Sequence, residues 1–250
     1  MLESAAQLRP QSRSRYWMGL ALDDREVAEA QRLRHAVFAE EMGARLPTNH
    51  LQLDIDAFDA YCDHLLVRDR ETSEVVGTYR ILSPSQARMA GGYYAEQEFD
   101  LTPLQHLRAD MAEVGRSCVH PDYRSGAVIA LLWNGLGDYM IQHRYRHVIG
   151  CASIAMADGG YVACKVYEKL IERYHSPAAL RVRPRNRLPL ESLHSSVDAL
   201  LPPLIKGYMR LGAWVCGEPA WDVVFNTADL LVLLSIERMN TAYARRLLPR

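Results

Sequence analysis

Two spacings of apolar residues, that of a helix and that of a strand, take turns along this chain. Arg15–Leu22 reads as a first strand and stops at an Asp23-Asp24 helix-start signal. From Asp24 to Glu40, Val27, Ala30, Leu33, Ala36 and Val37 recur at helical intervals. Residues 43–60 lose the repeat and carry Pro47, Asn49, Asp54, Asp56 and Asp59, a loop long enough to suggest function. Tyr61–Asp69 and Val75–Leu82 are predicted strands across a polar turn, Arg70–Glu74. An irregular stretch with Gly91-Gly92 and the segment Phe99–Leu107 lead to a strand from Met111. A helix over Val128–Gln142, a strand over Val148–Ile154 and a helix over Gly160–Arg173 follow. Leu200–Leu211 is a helix with Pro202 and Pro203 near its first turn, and Gly212–Leu234 supplies two closing strands. Residues 1–14 are expected to be a flexible arm and Ile236–Arg250 a basic helical tail. This alternation predicts an α/β (α+β) layer architecture in one domain over residues 15–250.

The stretch Met111–Val128 concentrates the chemistry. Glu113 and Arg116 place opposite charges on a strand otherwise suited to a core, with Gly115 between them. Side chains three apart on a strand point to opposite faces, so a bulge at Gly115 is expected to bring them together. The loop Tyr123–Ala127 then offers a cation, a hydroxyl and free N–H groups where a helix begins, a natural seat for a phosphate.

Composition excludes more than it assigns. In 250 residues the net charge is −1 and apolar residues make up 49%, a folded chain with no global call on nucleic acid. Five cysteines without C-x-x-C spacing suggest reduced thiols, not a metal site. The N-terminus has no apolar leader, and the longest apolar runs cannot span a bilayer, so a cytoplasmic protein is expected. His64 and Asp69 match an H-x4-D pattern, but on a strand they point to opposite faces. Gly135 and Gly137 fall inside a helix and suit close packing. No nucleophile elbow is present, which leaves nucleophilic Cys or Ser chemistry without support. Arg181, Arg183, Arg185 and Arg187 share one face of an extended segment. They are either a docking edge for an acidic partner or a solvated edge strand guarded by charge.

Several separated stretches resemble a family. Arg34-His-Ala-Val-Phe38, Asp56-Ala-Phe-Asp59, Gly77-Thr-Tyr-Arg80 and Glu113-Val-Gly-Arg116 are similar to a skeleton shared by acyl-homoserine lactone synthases and ornithine–acyl-carrier-protein N-acyltransferases. Residues 115–126, Gly150–Ser153, Leu201–Gly212, Gly217–Asp222 and Phe225–Asp229 resemble the second group. The resemblance implies a GNAT-like fold, with a mixed, mostly antiparallel central sheet flanked by helices. It also implies transfer of a (3-hydroxy)fatty acyl group from acyl carrier protein to the α-amine of ornithine, the first step of ornithine lipid synthesis. No bound cofactor is expected, the donor being the phosphopantetheine of the carrier protein. Relatives that use CoA carry a phosphate loop one residue longer than Arg124–Ala127, which suits a single phosphodiester here.

On that reading Glu113 is the general base, and backbone N–H groups of Ser117, Cys118 and Val119 stabilise the oxyanion. Arg124, Ser125, Gly126 and Ala127 bind the pantetheine phosphate. Arg34, Arg80 and Arg116 bind the amino-acid carboxylate or order the acidic loop, and Phe38 lines the substrate site. Asp56 and Asp59 hold the distal ammonium, unless they are loop solubilisers. Arg144, Arg146 and the 181–187 ladder are the expected docking surface for acidic carrier protein. Peripheral membrane contact through Tyr243–Leu248 suits a lipid product. The rivals are a lactone synthase using S-adenosylmethionine, an N-acyltransferase for another amino acid such as glycine, and a membrane-active factor.

Overall fold

The computed structural model describes residues 14–47, 49–193 and 198–239; the expected arm up to residue 13 and the tail from residue 240 lie outside them. In chain order the strands are β1 (Tyr16–Leu20), β2 (Asp63–Asp69), β3 (Val75–Leu82), β4 (Phe99–Asp100), β5 (Met111–Val119), β6 (His147–Ala155), β7 (Arg183–Pro184), β8 (Trp214–Val215), β9 (Ala220–Asp222) and β10 (Thr227–Ser235). The helices are α1 (Asp24–His35), α2 (Pro84–Met89), α3 (Ala127–His143), α4 (Tyr161–Tyr174) and α5 (Pro203–Leu211). Asp23 caps α1 by accepting from the N–H groups of Arg25 and Glu26, as the start signal predicts. The helical repeat runs past His35, but Ala36–Glu41 is wound as a π-helix. Two closing strands were expected after Gly212; β8, β9 and β10 make three.

The main sheet runs β1-β2-β3-β5-β6-β10-β8, with β9 also on β10, while β4 and β7 form a separate pair. All pairs in the main sheet are antiparallel except β5–β6. A parallel pair needs a crossover connection, and α3 supplies it. The expected mixed, mostly antiparallel sheet flanked by helices is what the chain adopts.

Strand alternation sorts the faces. Ala112 and Val114 of β5, with Ala152, Ile154, Leu230 and Val232, pack towards α3, α4 and α5. Met111, Ile149, Leu231 and Leu233 face the segment that holds α2 and the short turns up to residue 110. On the same side, Leu33 and Val37 reach Cys118. No described helix is long and apolar enough to cross a membrane.

The bulge in β5 falls one residue later than expected. Gly115 pairs with Arg80 and Cys118 with Thr78, so Arg116 and Ser117 together oppose Tyr79. The left-handed backbone belongs to Arg116, at φ 52°. Glycine tolerates that conformation best, yet the guanidinium of Arg116 is anchored from outside the strand and holds it there.

The close approach expected at Gly135 is present. A Cβ there would lie 2.0 Å from Met18 Sδ and 2.9 Å from Leu65 Cδ2, so α3 lies directly on β1 and β2. Gly135→Leu is expected to push α3 off the sheet and cost about 1–3 kcal/mol, read as a lower urea midpoint with an unchanged slope.

Candidate active site

The site begins where β5 and β6 part. They pair only over Met111–Glu113 with His147–Ile149. At the fork a Cβ on Gly150 would sit 2.5 Å from the carbonyl oxygen of Val114, which explains a glycine there. Beyond it a cavity of about 420 Å³ opens between the strands. Val114–Val119 form one wall and Val148–Ser153 the other. At one end lie Arg80, Tyr94, Glu113, Arg116, Asp222 and Asp229. The other end is apolar, formed by Trp133, Leu136 and Met140 of α3 with Leu204, Tyr208 and Leu211 of α5. The cavity therefore crosses the sheet from a polar face to an apolar one.

Six charges brace the polar end. Arg34 bonds Asp54 at 2.8 Å and Asp59 at 2.7 Å. Arg80 bonds Asp59 at 2.9 Å and Asp56 at 2.7 Å. Arg116 bonds Asp56 at 3.0 Å and Asp54 at 3.1 Å, closing the ring. Each carboxylate thus meets two guanidiniums, and each guanidinium two carboxylates. Burial alone would raise the Asp59 carboxyl, but Arg34 and Arg80 hold it well below the usual carboxylate range. Arg34 is 0% exposed and reaches no part of the cavity wall, and neither do Asp56 and Asp59. The expected hold of Asp56 and Asp59 on a substrate ammonium does not fit, because arginines already occupy both. Of the two roles considered for Arg34, ordering the acidic loop is the one this geometry carries. Arg80 and Arg116 do reach the cavity, Arg116 between the rings of Tyr94 and Phe225 at 4.9 and 4.6 Å. Phe38 lines it too, edge-on to Phe225 at 5.8 Å.

Glu113 is 5% exposed and shares the cavity with Arg116, as the bulge argument requires. Its carboxylate accepts from the N–H of Tyr94 at 2.6 Å and of Ala95 at 2.7 Å. Burial pushes Glu113 up to about 7, against the pull of those two N–H groups and Arg80. A carboxyl poised there can take a proton near neutral pH. Ser117, Cys118 and Val119 line the wall opposite β6. The Cys118 thiol is pushed up to about 12 by burial and packs against Leu33 and Val37, which disfavours the thiolate. The H-x4-D residues stay apart: His64 Nε2 lies 3.2 Å from the Asp59 carbonyl, while Asp69 pairs with Arg15.

At the mouth, Arg124–Gly126 lead into Ala127 at the start of α3, all four exposed. Arg124 also lines the cavity, donates to the Val119 carbonyl at 3.1 Å, and makes a two-point pair with Glu41, both bonds 2.7 Å. The expected docking arginines are not gathered there. Arg144 and Arg146 follow the far end of the 17-residue α3, roughly 25 Å along its axis from Arg124. Arg146 pairs with Glu237, and Arg187 with Glu218 and Glu191. Arg181, Arg183, Arg185 and Arg187 are all exposed, but only Arg183 of them lies in β7, and Arg181, Arg185 and Arg187 turn to the Ser176 carbonyl, the Glu96 carbonyl and Glu218.

Several residues of the site went unassigned in the sequence reading. Glu41 and Tyr94 give no local signal. Asp222 and Asp229 close the stretches Gly217–Asp222 and Phe225–Asp229, and Asp229 is the charge that opens the apolar run Leu230–Leu234.

The chain is similar to several known proteins. Residues 33–134 match the model of the acetyltransferase (GNAT) domain. The L-ornithine N(alpha)-acyltransferase of Rhodobacter capsulatus is 39% identical, over 90% of this chain and 92% of its own. That of Agrobacterium fabrum is 37% identical, over 90% of this chain and 82% of its own. That of Brucella abortus is 37% identical, over 87% and 83%. Among solved structures, FeeM, an N-acyl amino acid synthase from uncultured soil microbes, superposes with a TM-score of 0.57 at 13% identity, covering 92% of this chain and 97% of that one. That likeness concerns the fold.

Removing one member of the ring should expose its cost. Arg34→Met leaves Asp54 and Asp59 each short of one cation in a buried setting, and is expected to lose about 3–5 kcal/mol of stability in equilibrium denaturation.

Proposed function

The chain belongs to the L-ornithine N(alpha)-acyltransferase family, and from that premise we propose that it moves a fatty acyl group from acyl carrier protein to the α-amine of ornithine, giving lyso-ornithine lipid. The chain is an acyltransferase with a GNAT domain. The observation that carries the rest is the cavity that passes from charged groups on one face of the sheet to apolar walls on the other. An amino acid suits the first end and a hydrocarbon chain the second, so the thioester would lie at the fork between them.

The α-ammonium must lose a proton before it can attack. Glu113 takes it, directly or through a water, and its position near neutrality suits that task. The nitrogen lone pair forms the C–N bond at the thioester carbonyl, charge builds on the oxygen, and backbone N–H groups along Ser117–Val119 stabilise it. The C–S bond then breaks, and the departing thiolate takes up the second proton that the nitrogen releases as the amide forms. Direct transfer accords with thiols raised by burial at Cys62 and Cys118. Arg80 and Arg116, the ring members on the cavity wall, are placed to meet the amino-acid carboxylate.

The carrier's phosphopantetheine would enter at Arg124–Ala127. The first N–H groups of α3 lack helical partners, and an anion there is favoured by the helix dipole. A phosphate would compete with Glu41 for Arg124. The exposed arginines at 181, 183, 185 and 187 remain the candidate contact for acidic carrier protein, with a salt-sensitive encounter rate.

Purified protein supplied with 3-hydroxyacyl carrier protein and a mixture of amino acids, read by mass spectrometry, is expected to yield N-(3-hydroxyacyl)ornithine. Acylation of a different amino acid would move the acceptor, and acylation from CoA alone would remove the carrier. In the same assay kcat/KM should fall by about tenfold per pH unit below about 7, the range in which Glu113 takes up a proton and stops acting as base. Glu113→Gln should cut turnover by roughly 10²–10⁴-fold and abolish that limb. Filling the apolar end with Leu136→Trp is expected to shift preference towards shorter acyl chains.

A further inference from the structure

Ornithine carries a second ammonium, and the Asp56–Asp59 loop is already filled by arginine. Another carboxylate pair is not: Asp229 lines the same cavity, and Glu98 stands behind it, off the wall itself. Glu98 follows the turn Tyr94–Gln97 and Asp229 lies on β10, and a carboxylate oxygen of each lies within 4.8 Å of the other and of Cys151 Sγ on β6. Asp229 is 4% exposed and accepts from Thr227 Oγ1 at 2.8 Å. It lines the cavity with Asp222 and Glu113. Both carboxylate oxygens of Glu98 are buried and lack a hydrogen-bond partner among the described residues. After burial itself, the strongest influences on Glu98 are Asp229, Asp222 and Glu113, all acidic, and all raise its affinity for a proton. Burial raises Asp229 as well. Where Asp54, Asp56 and Asp59 are matched by three arginines, Glu98 and Asp229 make no salt bridge among the described residues.

We propose that Glu98 and Asp229 seat the side-chain ammonium of ornithine, at the end of the cavity where Glu113 meets the α-amine; this rests on the acceptor reading above. An ammonium has three N–H donors and no acceptor. The free oxygens of Glu98 and the carboxylate of Asp229 provide what it lacks. Two buried carboxylates cannot both stay charged without a cation, so the empty pair shares a proton. The substrate ammonium replaces that proton and supplies the missing charge. An amino acid with an uncharged side chain offers nothing in exchange, and the site discriminates against it because the buried carboxylates then stay unmatched. The two carboxylates are far apart in the chain, so the seat exists only once β10 has paired with β6 and the Tyr94–Gln97 turn has packed over them.

The test compares ornithine with norvaline, which has the same carbon skeleton without the terminal amine. The ratio of their kcat/KM values is measured for the parent enzyme, Glu98→Gln and Asp229→Asn. In each variant the ratio is expected to fall by about tenfold to a hundredfold, chiefly through a higher KM for ornithine. The ratio is taken within one preparation, so it does not depend on the folded fraction. If turnover is lost altogether, calorimetry of the two amino acids with the variant reads the same preference. An unchanged ratio in both variants overturns the proposal. So does ornithine turnover that a chelator abolishes and a divalent metal restores, because the cluster would then be a metal site. A parent enzyme that acylates no ornithine strikes the acceptor reading before any variant is made. A parent that makes the ornithine product while both variants keep its preference strikes only the seat.

Discussion

A closed ring of alternating charge, Arg34–Asp54–Arg116–Asp56–Arg80–Asp59, carries the rest of this structure. Buried ion pairs are poor stabilisers on average, because the cost of leaving water consumes most of the attraction. Their use here is geometric. The ring joins α1, the otherwise irregular loop 54–59, β3 and the bulge of β5. Through Arg116 it holds a non-glycine residue in a left-handed conformation inside a strand. That bend accompanies the departure of β5 from β6, and the departure makes the cavity. Loss of the ring would therefore be felt at the chemistry even where no ring member touches a reacting atom.

The fork also explains why one sheet serves two unlike ligands. Glu113 and Asp229 lie on the sheet face of Met111 and Leu231, with Arg80 beside them on the cavity wall. On the opposite face α3 and α5 bring apolar side chains to the same opening. Only a gap between strands connects the two environments. A paired β5–β6 ladder would close it, and the short parallel register ends as soon as Glu113 has been placed.

Much of this was legible in the chain itself. β2 and β3 are short apolar runs across a polar turn, α3 is a long apolar stretch and α4 has a helical repeat, so their positions follow from local pattern. Gly135 announced a close approach because a glycine inside a strong helix is otherwise unfavourable. Harder to read was anything decided by a distant partner. Gly115 is the residue that tolerates a bulge best, yet the bulge sits on Arg116 because Asp54 and Asp56 pull on its side chain. Likewise Arg124 looks like a free cation in sequence, while Glu41, 83 residues away, engages both its terminal nitrogens.

The acidic residues teach the same lesson most sharply. Asp56, Asp59, Asp229 and Glu98 are indistinguishable as letters, and the loop with three aspartates draws the eye towards a cationic substrate. Their environments divide them. Arginine neighbours hold Asp59 ionised, whereas burial and other acids raise Glu98, and burial raises Asp229 against the pull of Thr227 and Ser153. A carboxylate already matched inside the fold contributes rigidity and has little left for a ligand. One left unmatched in a cavity wall is a standing cost to the fold, offset when a cation arrives. The capacity to bind therefore follows from the charge each site lacks, a quantity set by tertiary neighbours and invisible to a count of acidic residues along the chain.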